Sequence, residues 1–283
     1  MKNKALFALF IFLTHSQFIT CLDFTLKGGV DYTSYPPGNK SFVGNVFTPE
    51  FLPIIYAGLS NDISGKYNYN INFDYDPIWR NTISGDIGYY LGNIDIKLGF
   101  FIGAGDFTFT SIDAGFSGKA GVEFPGIFMA NAGISSSIGG SMDSPENTTR
   151  QLFSAQAGFW LPNIFITFDF DMKDYIEQVT ETLKIQTNRK RYKGAMEIFS
   201  KNTPYRIRFD FGWQDLIRLV NDNGPIEEEG ISTLFVGARF YSQVSNIFAW
   251  FVEGEVPFNI DDLTNIKILY NASIGVIFSH PDI

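Results

Sequence analysis

From Lys66 to Asp76 the chain reads Lys-Tyr-Asn-Tyr-Asn-Ile-Asn-Phe-Asp-Tyr-Asp, a strict alternation of polar and apolar residues. Tyr67, Tyr69, Ile71, Phe73 and Tyr75 share one face, and Lys66, Asn68, Asn70, Asn72, Asp74 and Asp76 share the other. A period of two dictates an extended strand, because successive side chains point to opposite faces. The length narrows the choice further. A strand that crosses a membrane needs about 9–11 residues, whereas an ordinary one runs to about 5–6. A single such strand would suit a soluble sheet as well, so its recurrence along the chain decides the fold.

The pattern recurs. Strands are predicted at Asp23–Tyr35, Phe51–Ser60, Lys66–Asp76, Thr82–Leu91, Ile94–Gly103, Ser111–Phe124 and from there to about Ile138. They continue at Arg150–Leu161, Ile164–Lys173, Lys190–Phe199, Tyr205–Trp213, Ser232–Tyr241, Asn246–Val256 and Ile266–Phe278. Gly92-Asn93, Pro125-Gly126 and Pro162-Asn163 read as tight turns. The segment Asp174–Arg189 reads as a polar hairpin rising past the others, and Gln214–Ile231 as a long polar loop. Odd-numbered strands end mostly in longer polar segments and even-numbered ones in tight turns. That asymmetry predicts an all-β chain, a transmembrane antiparallel up-and-down β-barrel of about 14 strands (12–16) with short periplasmic turns and longer extracellular loops. Closure is required in lipid, where an open sheet edge would leave backbone groups unpaired. A secreted soluble β-sandwich or barrel is the alternative, but its strands would be shorter and its exposed aromatics fewer.

The first residues agree with export. Lys2 and Lys4 precede the apolar run Ala5–Leu13, the pattern of a secretory signal peptide. We expect residues 1–21 to be the signal, 22–278 the barrel and 279–283 a short tail. Cys21, the chain's single cysteine, either leaves with the signal or becomes a lipidated first residue. If it leaves, neither a disulfide nor a thiolate site is available. Loss of Lys2 and Lys4 takes the formal charge from −9 to −11, which disfavours nucleic acid as a partner. With strand one following the signal at once, no room is left for an N-terminal plug, and this speaks against transport of a hydrophobic substrate.

Catalytic candidates are few. The only histidines are His15, in the signal, and His280, beyond the last predicted strand. A serine–histidine arrangement needs an imidazole within reach of a positioned serine, so no enzyme and no catalytic residue is expected. Asp169/Asp171 and Glu253/Glu255, spaced two apart, read as water-facing wall residues. Glu227-Glu228-Glu229 matches no calcium-loop spacing and reads as a solvated loop; neither metal nor cofactor is expected. Trp79, Trp160, Trp213 and Trp250 suit aromatic girdles at membrane interfaces.

The polar faces carry the functional signal. Asp74, Asp76, Asp86, Asp95 and Asp113 come from strands three to six. Arg191, Lys193, Arg206, Arg208, Arg239 and Lys267 come from strands ten to fourteen. If both sets face inward, an acidic wall opposes a basic one, and charged walls are how wide pores select solutes. The alternative is a closed lumen in which these charges pair with one another.

From Asp23 to Phe278, this pattern resembles the bacterial outer-membrane β-barrel class, especially small monomeric porin-like channels. An aromatic, Phe278, ends the last strand as is common there, although Ser279–Ile283 extend beyond it. The resemblance implies an outer-membrane channel for passive diffusion of small hydrophilic solutes. Its partners would be outer-membrane lipids, those solutes and the barrel assembly machinery. The rival reading is a non-conducting adhesin or structural barrel whose external loops bind a host ligand.

Overall fold

The computed structural model describes residues 22–33, 50–63, 66–76, 80–104, 112–138, 149–178, 183–200, 203–222, 224–259 and 271–280. The expected signal peptide, Cys21, Trp79 and Lys267 lie outside them. Fourteen strands form one closed sheet. They are β1 (Leu22–Thr33), β2 (Glu50–Ile63), β3 (Tyr67–Asp76), β4 (Arg80–Leu91), β5 (Ile94–Ala104), β6 (Ile112–Phe124) and β7 (Phe128–Ser137). The circuit continues through β8 (Thr149–Leu161), β9 (Ile164–Gln178), β10 (Leu183–Phe199), β11 (Tyr205–Asp222), β12 (Glu227–Gln243), β13 (Phe248–Asn259) and β14 (Asn271–His280). Every strand pairs antiparallel with its sequence neighbours. The ring closes where β1 pairs with β14, from Phe24 opposite His280 to Thr33 opposite Asn271. No edge is left to template another chain.

The connections at one end are tight. Two residues join β4 to β5 and β8 to β9, and three join β6 to β7. Gly92 (φ 62°), Gly126 (φ 75°) and Asn163 (φ 63°) supply the left-handed backbone that these turns need. At the opposite end the intervals range from three residues, between β3 and β4, to sixteen, between β1 and β2.

Side-chain parity matches the sequence reading. Ile71, Ile87, Leu98, Phe100, Phe116, Phe168, Phe211 and Ile274 point outward and are half or more exposed. Together with Gly and Ala they cover the outer wall with an apolar band too large for a water-facing surface. Rings bracket the band. Phe128–Phe159, Tyr205–Phe240, Phe240–Trp250 and Phe248–Phe278 pair near the tight-turn end, at 5.0–5.7 Å between centroids. Phe153–Phe170 and Phe170–Tyr192 form a second row nearer the other end. Trp213 and Trp250 join this outer surface. Trp160 does not: its parity turns it inward, where it stacks on Phe165 at 4.5 Å.

The largest extensions beyond the expected bounds are in β9–β12. The stretch read as a loop, Gln214–Ile231, is instead the continuation of β11 and the start of β12, joined by only four residues. The polar segment Asp174–Arg189 is the top of the β9–β10 hairpin, as expected. β9–β12 therefore run to 15–18 residues, against 10–14 for the other strands. At about 3.3 Å per residue, the extra length raises one side of the wall by roughly 15 Å. Alternation fails in this upper part for a physical reason. Leu216 and Ile231 point inward there and are 1% and 6% exposed, so apolar residues stand on the inner face as well. β14 also extends two residues past Phe278, placing His280 in the sheet opposite Phe24 rather than in a tail.

Candidate functional site

The inner wall is built by the residues that alternate with the apolar band. Wide side chains are seated there over glycines. Phe235 of β12 lies over Gly212 of β11, Phe251 of β13 over Gly275 of β14, and Phe101 of β5 over Gly115 of β6. A Cβ on any of these glycines would stand 2.5–2.6 Å from the ring. The three rings are each only 2% exposed. Two of them carry cations: Arg191 sits 4.2 Å above Phe235, while Lys27 and Arg239 sit 4.8 and 6.0 Å from Phe251. A guanidinium or ammonium over a ring face is held by the ring quadrupole.

Of the expected basic residues, Arg191, Lys193, Arg206, Arg208 and Arg239 all fall on this inner parity. Each has a carboxylate within 4.0 Å. Arg191 contacts Glu255, reaching from β10 to β13. Lys193 lies 3.6 Å from Asp169 and 4.0 Å from Asp210. Arg208 bridges Asp210 at 2.8 Å and Asp169 at 3.4 Å. Arg239 donates to Glu253 at 2.8 and 2.5 Å, and Arg206 stands 3.3 Å from Glu197. Arg189, absent from the expected set, pairs with Asp171 at 2.7 Å. The expected basic wall is thus a ladder of alternating charges. Part of the pairing follows from register, Lys193 standing directly opposite Asp169 and Arg239 opposite Glu253, whereas Arg208 faces Arg239 and takes its carboxylates from Asp210 and Asp169. Opposite charges at facing positions stabilise a sheet.

The acidic residues face a different environment. Asp74 lies opposite Tyr56 and Thr82. Asp86 accepts a hydrogen bond from Asn70 Nδ2 at 2.7 Å. Asp95 is 3.6 Å from Lys97. Asp113 contacts Arg150, which is fully buried, and accepts from Ser137 Oγ at 2.5 Å. Asp76 ends β3, and its side chain lies outside the described part. Polar neutral groups therefore serve much of this wall, where Tyr56 Oη also donates to Asn72 at 2.8 Å. Two cations that the acidic-wall reading left aside, Lys97 and Lys119, stand among these carboxylates.

Among the described residues, no group of three or more His, Cys, Asp and Glu side chains is placed to hold a metal ion. Glu227 and Glu228 are consecutive strand residues opposite Val220 and Leu219, so they project to alternate faces; the Glu229 side chain lies outside the described part. Asp169/Asp171 and Glu253/Glu255 are held by the cations named above.

No family model matches the chain, and no curated protein matches it. Among solved structures it is similar to a loop-deletion mutant of OmpT, an outer membrane protein of Vibrio cholerae. Identity there is 9%, coverage is 92% of this chain and 99% of that one, and the TM-score is 0.48. It is also similar to OmpF of Salmonella typhi in complex with daunomycin, at 11% identity, 92% and 97% coverage and a TM-score of 0.45. A porin refined at 1.8 Å resolution shares 9% identity over 92% of this chain and 99% of that one, with a TM-score of 0.43.

Proposed function

We propose that this chain is an exported outer-membrane channel through which small hydrophilic solutes diffuse passively, and that it performs no chemistry on them. The observation that supports this reading is the inversion of the usual soluble pattern. The closed sheet carries its apolar side chains outward and its ion pairs, amides and hydroxyls inward. Such a wall is stable with lipid outside and water inside, since charges facing lipid cost several kcal/mol each. The tight turns would lie on the periplasmic side, and the tall β9–β12 wall would rise on the outside.

A solute passing the ladder meets fixed dipoles rather than a uniform basic surface. Paired charges produce a short-range field, so discrimination rests on the groups without a close counter-ion. One feature favours the second reading, a barrel closed at its outer end. Arg150, Tyr175, Leu216 and Thr233, all inward and toward the tall end, are at most 2% exposed. Single-channel recording of the refolded protein in a planar bilayer decides between the two. Discrete conductance steps support the channel; an inserted, folded and persistently silent barrel refutes it.

A further inference from the structure

Lys97 on β5 and Lys119 on β6 are direct partners across the sheet, both on the inner face. Like charges in facing positions destabilise a strand pair, so this placement calls for a compensating anion. Lys97 has Asp95 at 3.6 Å. Among the described residues, no carboxylate stands within ion-pair distance of Lys119. The next strand faces Lys119 with Gly133, which leaves the floor open. Over that floor lies a cavity of about 150 Å³, lined by both lysines and by Ser117, Ser135 and Ser154 from three successive strands. Asp86 borders it as well, its carboxylate already accepting from Asn70.

We propose that this cavity binds a small oxyanion that still carries a proton, of the hydrogen phosphate class. Two ammonium groups and three hydroxyls supply donors to the anionic oxygens. Asp86 supplies the opposite function. An ionised carboxylate only accepts hydrogen bonds, so it repels a fully deprotonated anion and accepts from a P–OH group. The site therefore takes phosphate in preference to sulfate, which has no proton to donate at neutral pH. The volume accommodates a five-atom oxyanion, being several times that needed for one water. The inference deepens the channel reading by naming a solute class, and it rests on that reading only for the solute's passage.

The test is phosphorus-31 NMR of inorganic phosphate with the refolded full chain in detergent micelles, alongside bilayer recording of the same preparation. Saturable broadening of the phosphate line is expected, poorly competed by sulfate. Lys119→Gln and Lys97→Gln should each weaken binding roughly ten- to a hundredfold, the usual loss of a charge-assisted hydrogen bond. Lys119→Arg should keep most of it. Asp86→Asn should let sulfate compete as well as phosphate. Absence of broadening with folded protein, or unchanged broadening in both glutamine variants, overturns the site. Conductance without phosphate binding leaves the channel reading standing and removes the site. Binding by a barrel that stays silent keeps the site and removes the channel.

Discussion

Arginine placed at Ile71 and at its neighbour Asn70 should have opposite consequences for stability. Ile71 lies in the middle of the ten-residue strand β3, on the outer wall, and is 51% exposed. A guanidinium there would sit near the centre of the apolar band, far from either rim. The cost of arginine at a barrel's lipid-facing midplane is about 2–4 kcal/mol. That corresponds to a roughly 30- to 700-fold loss in the folding equilibrium. Asn70 points the other way, and its Nδ2 donates to Asp86 at 2.7 Å. Arginine at that position replaces an amide donor with a cationic one beside the same carboxylate, and the change should stay within about 0.5 kcal/mol. Reversible denaturant unfolding in lipid vesicles, followed by tryptophan fluorescence, measures both. Equal costs at the two positions, or a larger one at Asn70, would refute the assignment of inner and outer faces.

Four further outcomes follow from particular contacts. Gly212→Val should drive Phe235 off its seat and destabilise the barrel by about 1–3 kcal/mol as an overpacked wall does, whereas Gly28→Val, with nothing within 4 Å, should be near neutral; the same unfolding assay compares them. Gly92→Ala forces a side chain onto a backbone at φ 62° and should cost about 1 kcal/mol or more, read as a lowered unfolding midpoint. Glu253→Gln releases Arg239 from its partner and should shift the reversal potential toward anions. The shift should be larger at 0.1 M salt than at 1 M, as the Debye length falls from about 10 Å to about 3 Å. Arg206→Glu with Arg208→Glu should shift it toward cations.

The fold was legible because lipid-facing strands repeat one simple rule over many residues. Tyr67 to Tyr75 alternates without a break, and Gly92-Asn93 marks the β4–β5 turn by the residue types that tolerate positive φ. The rule weakens where it stops being imposed. In Gln214–Asp222 the pairs Leu216-Ile217 and Leu219-Val220 interrupt alternation. Leu216 is buried on the inner face, opposite Arg189 and Ile231, so an apolar residue there is packing rather than a break in the strand. The outer face of that upper wall no longer needs to be uniformly apolar, and the sequence loses the period that reveals it. Trp160 illustrates a smaller failure. A tryptophan near a strand end suits a girdle by type alone, but its parity places it against Phe165 inside.

The charged wall was legible residue by residue and illegible as a field. Parity places Arg191, Lys193, Arg208 and Arg239 inside, yet says nothing about which carboxylates stand beside them. Arg191 and Glu255 are 64 residues apart and meet across four strands: the register sets Glu255 in the row of Gly237, Asp210 and Ala195, four residues along from Arg191, whose guanidinium lies over the Phe235 ring seated on Gly212. Ring closure multiplies such dependence, since each strand's height is fixed by the one before it and the last must still meet the first. Ion pairs on this wall accordingly report register. A slip of one residue between β10 and β11 would turn every cation of β11 toward the apolar band. At several kcal/mol for each charge moved to lipid, the inner wall selects the pairing as firmly as the backbone hydrogen bonds do.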